Sequence, residues 1–186
     1  MILRPNPSGD FPIIHPAAFI DPSAIICGKV IIGANVFVGP YAVIRADETD
    51  NSGSMHPIVI KDNTNIQDGV VIHSKSGASV QIGSHTSIAH RAIIHGPCTI
   101  EDKVFIGFNA VVFNAHIAKG CVIRHNAVVE DCYLSAGKYV PSTTHIHHQT
   151  DVHGLDDVSS CSYEFSESVA KTNIYLSQAY KKIFLL

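Results

Sequence analysis

Residues 65–97 read NIQDGVVIHSKSGASVQIGSHTSIAHRAIIHGP. Isoleucines lie six apart at Ile66 and Ile72 and, beyond a loop at 74–81, again at Ile82, Ile88 and Ile94. A period of six is neither the 3.6 of a helix nor the 2 of a half-buried strand. Upstream, Ile20, Ile26, Ile32, Val38 and Ile44 keep the same spacing. Ala24, Val30, Val36 and Ala42 follow at four residues, and Gly33 and Gly39 stand beside the repeat. Downstream come Ile100, Ile106 and Val112, then a one-residue slip to Ile117, Ile123 and Val129, with Ser135 as a weak last copy. Such a repeat describes a solenoid in which each hexapeptide is a short strand and a turn, and three of them close a triangular coil of about 18 residues. The expected fold is an all-β solenoid, a parallel β-helix of five or so coils. Residues 49–57 and 74–81 are expected as loops that leave the prism without using up a face.

The chain divides by pattern into three parts. Residues 1–140 read as the β-helix with an irregular, proline-rich lead-in at 1–16, and residues 141–163 as a polar connecting segment. Residues 164–186 read as an α-helix, with Val169, Leu176, Ala179, Tyr180 and Ile183 on one face and Ser166 and Glu167 as its N-terminal cap. A lone helix of this length is marginal in water, so it is expected to pack on the prism or on a neighbouring subunit.

Composition narrows the function. In 186 residues, 46% are hydrophobic and 16% charged, which suits one domain with a substantial core. The net charge of −3 argues against a nucleic-acid binder, which would carry a basic stripe. No apolar run approaches the roughly 20 residues of a membrane span. The start, MILRPNPSGDFPIIHP, has prolines where a signal peptide needs an apolar stretch, so the cytoplasm is the expected compartment. Five cysteines without CxxC spacing read as reduced, mostly buried thiols. Twelve histidines are many for this length and hint at metal chemistry. His145, His147 and His148 read as a solvated loop cluster.

Register places the other histidines. Ile72 and Ile94 fall on the same face of adjacent coils, so His73 and His95 stack one rung apart and point outward, with Arg45 on the rung before. Asp68 and His90, each two residues past Ile66 and Ile88, stack likewise on another face. His73 and His95 form a two-donor clamp for one ion. His90 cannot readily turn to the same ion within one chain, but a neighbour's His90 would meet it across a threefold assembly.

The segments IRADE (44–48), NIQDGVVIH (65–73) and SIAHRAIIHGP (87–97) resemble the γ-class carbonic anhydrase family, and the match runs from about Ile20 to the C-terminal helix. The resemblance implies a left-handed β-helix and a homotrimer with metal sites shared between subunits. His73, His90 and His95 would be the ligands of Zn2+, with Fe2+ or Co2+ also serving. It implies a lyase of the carbonate dehydratase type, hydrating CO2 to bicarbonate by metal-bound hydroxide. Gln67 would orient that hydroxide, Glu48 and Asn173 would be active-site residues, and Arg45 with Asp47 and Asp68 would form the interface ion pairs. The family prototype's longer acidic loop is here SKSGASVQ, without a carboxylate, and Lys171 stands where its helix carries a tyrosine. The chain thus resembles the short-loop subclass. Hexapeptide-repeat acyltransferases and non-catalytic metal-binding relatives are the alternatives.

Overall fold

The computed structural model describes residues 1–184; it is a parallel β-helix of about seven turns with a long C-terminal helix. Three parallel sheets form the faces of the prism. Face I has eight strands, from Ile2–Arg4 to His145–Ile146; faces II and III have seven each, beginning at Ile13–Ile14 and Phe19–Ile20. Every hexapeptide supplies one strand, and the chain steps from face II to face III to face I in each coil.

The six-residue isoleucines are the core. Ile26, Ile44, Ile72 and Ile94 stack in register on face I and are fully buried, as are Ile60 and Ile82 on face II and Ile66 and Ile88 on face III. Each such side chain contributes about 1.5–3 kcal/mol by leaving water. The residue four positions on is small because it turns into the narrowing corner: Ala24, Val36, Ala42 and Val70 are all fully buried. The corners need left-handed backbone, which asparagine tolerates; Asn35, Asn63, Asn109 and Asn126 have φ between 54° and 59°. Asn35 and Asn63 also bond to each other across coils at 3.1 Å. Gly28 shows the tightness of the packing, since a Cβ there would stand 2.0 Å from the Ala46 carbonyl oxygen.

Several expectations are corrected. Residues 1–16 are the first coil rather than a lead-in, because Ile2–Arg4 pairs with Ile25–Cys27 and Ile13–Ile14 with Ile31–Ile32. The prolines of this segment lie outside these short strands, where no ladder hydrogen bond is required of them. The repeat takes a second one-residue slip, so Leu134, not Ser135, stacks on Ile117. It then continues past residue 140: Val140 stacks on Ile123 and Ile146 on Val129. A 3-10 turn at Gln149–Gly154 buries Val152 against that end. These additions make about seven turns where five were expected.

The C-terminal helix spans Ser160–Phe184, four residues earlier than expected. Ser166 and Glu167 do not cap it. Ser166 Oγ donates to the Ser162 carbonyl within the helix, while Ser159 Oγ accepts the Ser162 N–H at 3.3 Å. The expected helix also included Leu185 and Leu186, which lie outside the described residues. The helix docks on face III, where Ala170, Asn173 and Ser177 are buried and Ser177 Oγ donates to the Val36 carbonyl. Among the described residues no helix is long and apolar enough to cross a membrane.

Position within the rung sets the cost of a substitution. Ile94→Ala removes a fully buried side chain and is expected to cost about 2–5 kcal/mol. Ile31→Ala, at a side chain 37% exposed on face II, is expected to cost under about 1 kcal/mol. Chemical denaturation of the two variants measures the difference.

Candidate metal centre

Face I carries the donors. Its strand Val71–Ser74 pairs with Ile93–Gly96 so that His73 lies beside His95, and with Val43–Ala46 so that Arg45 lies beside His73. The alternation of the strand turns Ile72 and Ile94 inward and sends both imidazoles out. Their rings meet edge to face with centroids 5.1 Å apart, and His73 Nδ1 stands 3.3 Å from His95 Nε2.

The tautomers follow from the neighbours. His95 Nδ1–H donates to the Gly96 carbonyl at 3.1 Å, which leaves a lone pair on Nε2. His73 Nδ1–H can then donate to that nitrogen. His73 Nε2 is buried and has no hydrogen-bond partner. Asp47 Oδ1 and Glu48 Oε1 approach it to 3.4 and 3.6 Å, but neither lies in line for a hydrogen bond. An imidazole nitrogen buried without a hydrogen-bond partner is otherwise costly and fits a role as metal ligand, and His95 Nε2 would join it as a donor by giving up the His73 Nδ1–H.

The carboxylates are tethered on the rung before. Arg45 Nε stands 3.1 Å from Asp47 Oδ2, and its Nη2 donates to Oδ1 at 3.2 Å. The buried Cys27, one rung further down, directs its thiol at the same Oδ2, 3.8 Å away. Glu48 is half exposed on the loop that follows.

His90 faces elsewhere. It lies at the corner between face III and face I, where its Nδ1 is 3.5 Å from Asp68 Oδ2 and its ring packs on Phe108 at 5.3 Å. Asp68 therefore pairs with His90 within the chain, and Arg45 with Asp47. Gln67, His90 and Asn173 line one groove of about 530 Å³ between the helix and face III, walled by Phe37, Phe105 and Phe165. Gln67 is buried; its Nε2 donates to Asn65 Oδ1 at 2.9 Å, and Asn65 Nδ2 donates to Ser87 Oγ at 2.7 Å. That bond uses the Gln67 amide as a donor and leaves its Oε1 as the acceptor of a side chain that lines the groove. Asn173 Nδ2 donates back to the Val169 carbonyl. Thus the named residues fall into two separate groups: His73, His95, Arg45, Asp47 and Glu48 in one, and Gln67, Asp68, His90 and Asn173 in the other. Among the described residues, no group of three His, Cys, Asp or Glu side chains is disposed around one point to hold a metal.

Two aromatic residues escaped the sequence reading. Phe113 packs on His95 at 5.4 Å and Phe108 on His90, each one coil further on. The signal was present, since each phenylalanine follows its histidine by 18 residues, the length of a coil. Burial pushes the Cys98, Cys121 and Cys132 thiols up to about 11, which holds them protonated.

The description "bacterial transferase hexapeptide (six repeats)" matches residues 11–46 and 79–114. A carbonic anhydrase of Methanosarcina thermophila is 33% identical over 199 residues, covering 95% of this chain and 78% of that protein. The carboxysome assembly protein CcmM of Nostoc sp. is 41% identical over 177 residues, covering 90% of this chain but only 31% of that longer protein. In shape, a putative acetyltransferase of Bacillus cereus superimposes with a TM-score of 0.76 over 98% of both chains at 22% identity, a likeness of fold.

Two outcomes test this geometry. Gly96→Ala would set a Cβ 2.7 Å from Ser74 Oγ and 2.9 Å from the Ser79 carbonyl, immediately after His95. It is expected to cost about 1–3 kcal/mol, read as a fall of several degrees in Tm. Of the five thiols, only Cys161 is exposed. At pH 8 a disulfide reagent should therefore modify one cysteine per native chain rapidly and all five after unfolding. More than one fast thiol in the native protein contradicts the burial described.

Proposed function

The chain belongs to the γ-class carbonic anhydrase family of hexapeptide-repeat proteins, and on that premise we propose that it is a homotrimeric, metal-dependent lyase hydrating CO2 to bicarbonate. The observation that carries the reading is the buried His73 Nε2, which has no hydrogen-bond partner and stacks in register with His95 on the next coil. His73 and His95 of one protomer and His90 of the next would hold the metal; zinc is the first choice, with iron or cobalt also suited to imidazole donors. When bound, the metal supplies Lewis acidity that brings the pKa of water to about 7, as it does in carbonic anhydrases.

The rest is done by the chain. The Gln67 carbonyl accepts a hydrogen bond from an O–H in the site and so orients its lone pairs towards CO2. Glu48, half exposed beside His73, accepts a proton and passes it to solvent. Asn173 shares the groove with Gln67 and His90 and bounds the space for substrate. Asp47 aligns Arg45, and Asp68 faces His90 Nδ1, leaving that ring's Nε2 free to reach a neighbour. The loop after His73, residues 75–79, carries no carboxylate, so proton release depends on Glu48 and on solution buffers.

An assembly is favoured by the surface of face I. Val71 and Ile93 are 37% and 42% exposed, and with Ile25, Val43 and Val111 they make an apolar stripe beside the histidines. A heterologous contact of this stripe with the groove of the next protomer would form a closed trimer when each step turns by a third of a circle. Four buried free thiols suit a reducing compartment, the cytoplasm. The acyltransferase alternative needs a histidine base beside a coenzyme cleft; the paired ligand histidines favour the metal enzyme.

Subunit mixing decides between a shared and a single-chain centre. His73→Ala and His90→Ala chains should each bind metal poorly and lack CO2 hydration. Unfolded together in equal amounts and reassembled, they should regain about a quarter of the sites, those combining His73 of one chain with His90 of another. A mixture no better than its parts contradicts the proposal.

A further inference from the structure

The surface that carries His73 and His95 bears a second group of donors at its C-terminal end. Ile146 of the last strand is buried in the core, while His145 before it and His147, just past the strand's end, are both exposed. Their rings stack with centroids 5.0 Å apart at 24°, and the His148 ring lies 3.6 Å from that of His147. The neighbouring strand, paired through Val128 to His145 and Val129 to Ile146, ends in Glu130, whose Oε1 is 2.7 Å from His145 Nε2. Asp151 Oδ2 accepts the N–H groups of His147 and His148 at 3.0 and 2.9 Å and fixes the backbone there.

We propose that Glu130, His145 and His147, with His148 beside them, form a second site for a borderline divalent cation of the Zn2+, Ni2+ or Cu2+ class. His145 in the paired strand and His147 just past its end have their rings stacked, and a carboxylate on the adjacent rung supplies a hard third donor. As the side chains stand, these groups do not surround one point. Reaching that state requires only rotation of exposed rings and opening of the Glu130–His145 pair. That pair is partly exposed, at 31% and 55%, so its net worth is small and opening it costs little. The site lies three rungs from His95, about 14 Å at the strand spacing, and needs no second chain. It goes beyond the shared centre and does not depend on it. Its donors are open to water, so it exchanges its ion readily and binds more weakly than an enclosed site.

Equilibrium dialysis of the assembled protein against Zn2+ tests the proposal. Two classes of site are expected. His145→Ala with His147→Ala should abolish the weaker class and leave the tighter one, and Glu130→Gln should weaken it by about tenfold or more. His73→Ala with His95→Ala should do the reverse, so failure of the shared centre and failure of this site read out separately. Paramagnetic resonance with Cu2+ gives a second measure, as nitrogen couplings from two imidazoles should vanish in the double variant. Circular dichroism verifies that these exposed positions leave the fold intact. A weak class that survives the His145 and His147 substitutions, or that ignores Glu130→Gln, overturns the proposal and leaves only nonspecific surface binding.

Discussion

The ladder of parallel backbone hydrogen bonds between successive coils is the constraint on which everything else rests. It fixes which residue of one coil lies over which residue of the next, and it carries that register unbroken along each face. A slip of one position would turn a buried isoleucine outward and an exposed histidine inward. Because Ile72 and Ile94 must both remain in the core, His73 and His95 must share a column. The core therefore enforces the geometry of the site: burying the isoleucines places the imidazoles.

The same constraint explains why the candidate residues of one chain fall into two separate groups. A rigid prism cannot bend one corner round to an adjoining face. His90, held at its corner by Asp68 and Phe108, stays away from the pair on face I. The group on face I has two imidazoles and carboxylates, and the group at the groove has an imidazole, a side-chain amide and aromatic walls.

Much of this was legible in the sequence because a period of six with isoleucine at the inward position leaves little freedom. The pairing of His73 with His95 and of Asp68 with His90 followed by counting, once the loops at 49–57 and 74–81 were treated as excursions. Counting failed where a slip offered two candidates. Ser135 keeps the six-residue spacing, yet Leu134 fills the core, because burial of an apolar side chain outweighs regular spacing. It failed at the N-terminus, where prolines hid strands of two and three residues. The helix start was misplaced because Ser159 and Ser166 offer the same side chain, and only the backbone decides which one caps. The tautomer of His95, set by the carbonyl of Gly96, is a property of packing that no spacing records.

The most direct measurement is an anomalous-scattering map of crystals of the zinc-reconstituted protein, recorded at the zinc absorption edge. The account predicts a peak between protomers, bonded to His73 and His95 of one and His90 of the next, repeated three times around an axis. A strongest peak enclosed by a single chain, or protomers whose two groups of residues do not face one another, would contradict it.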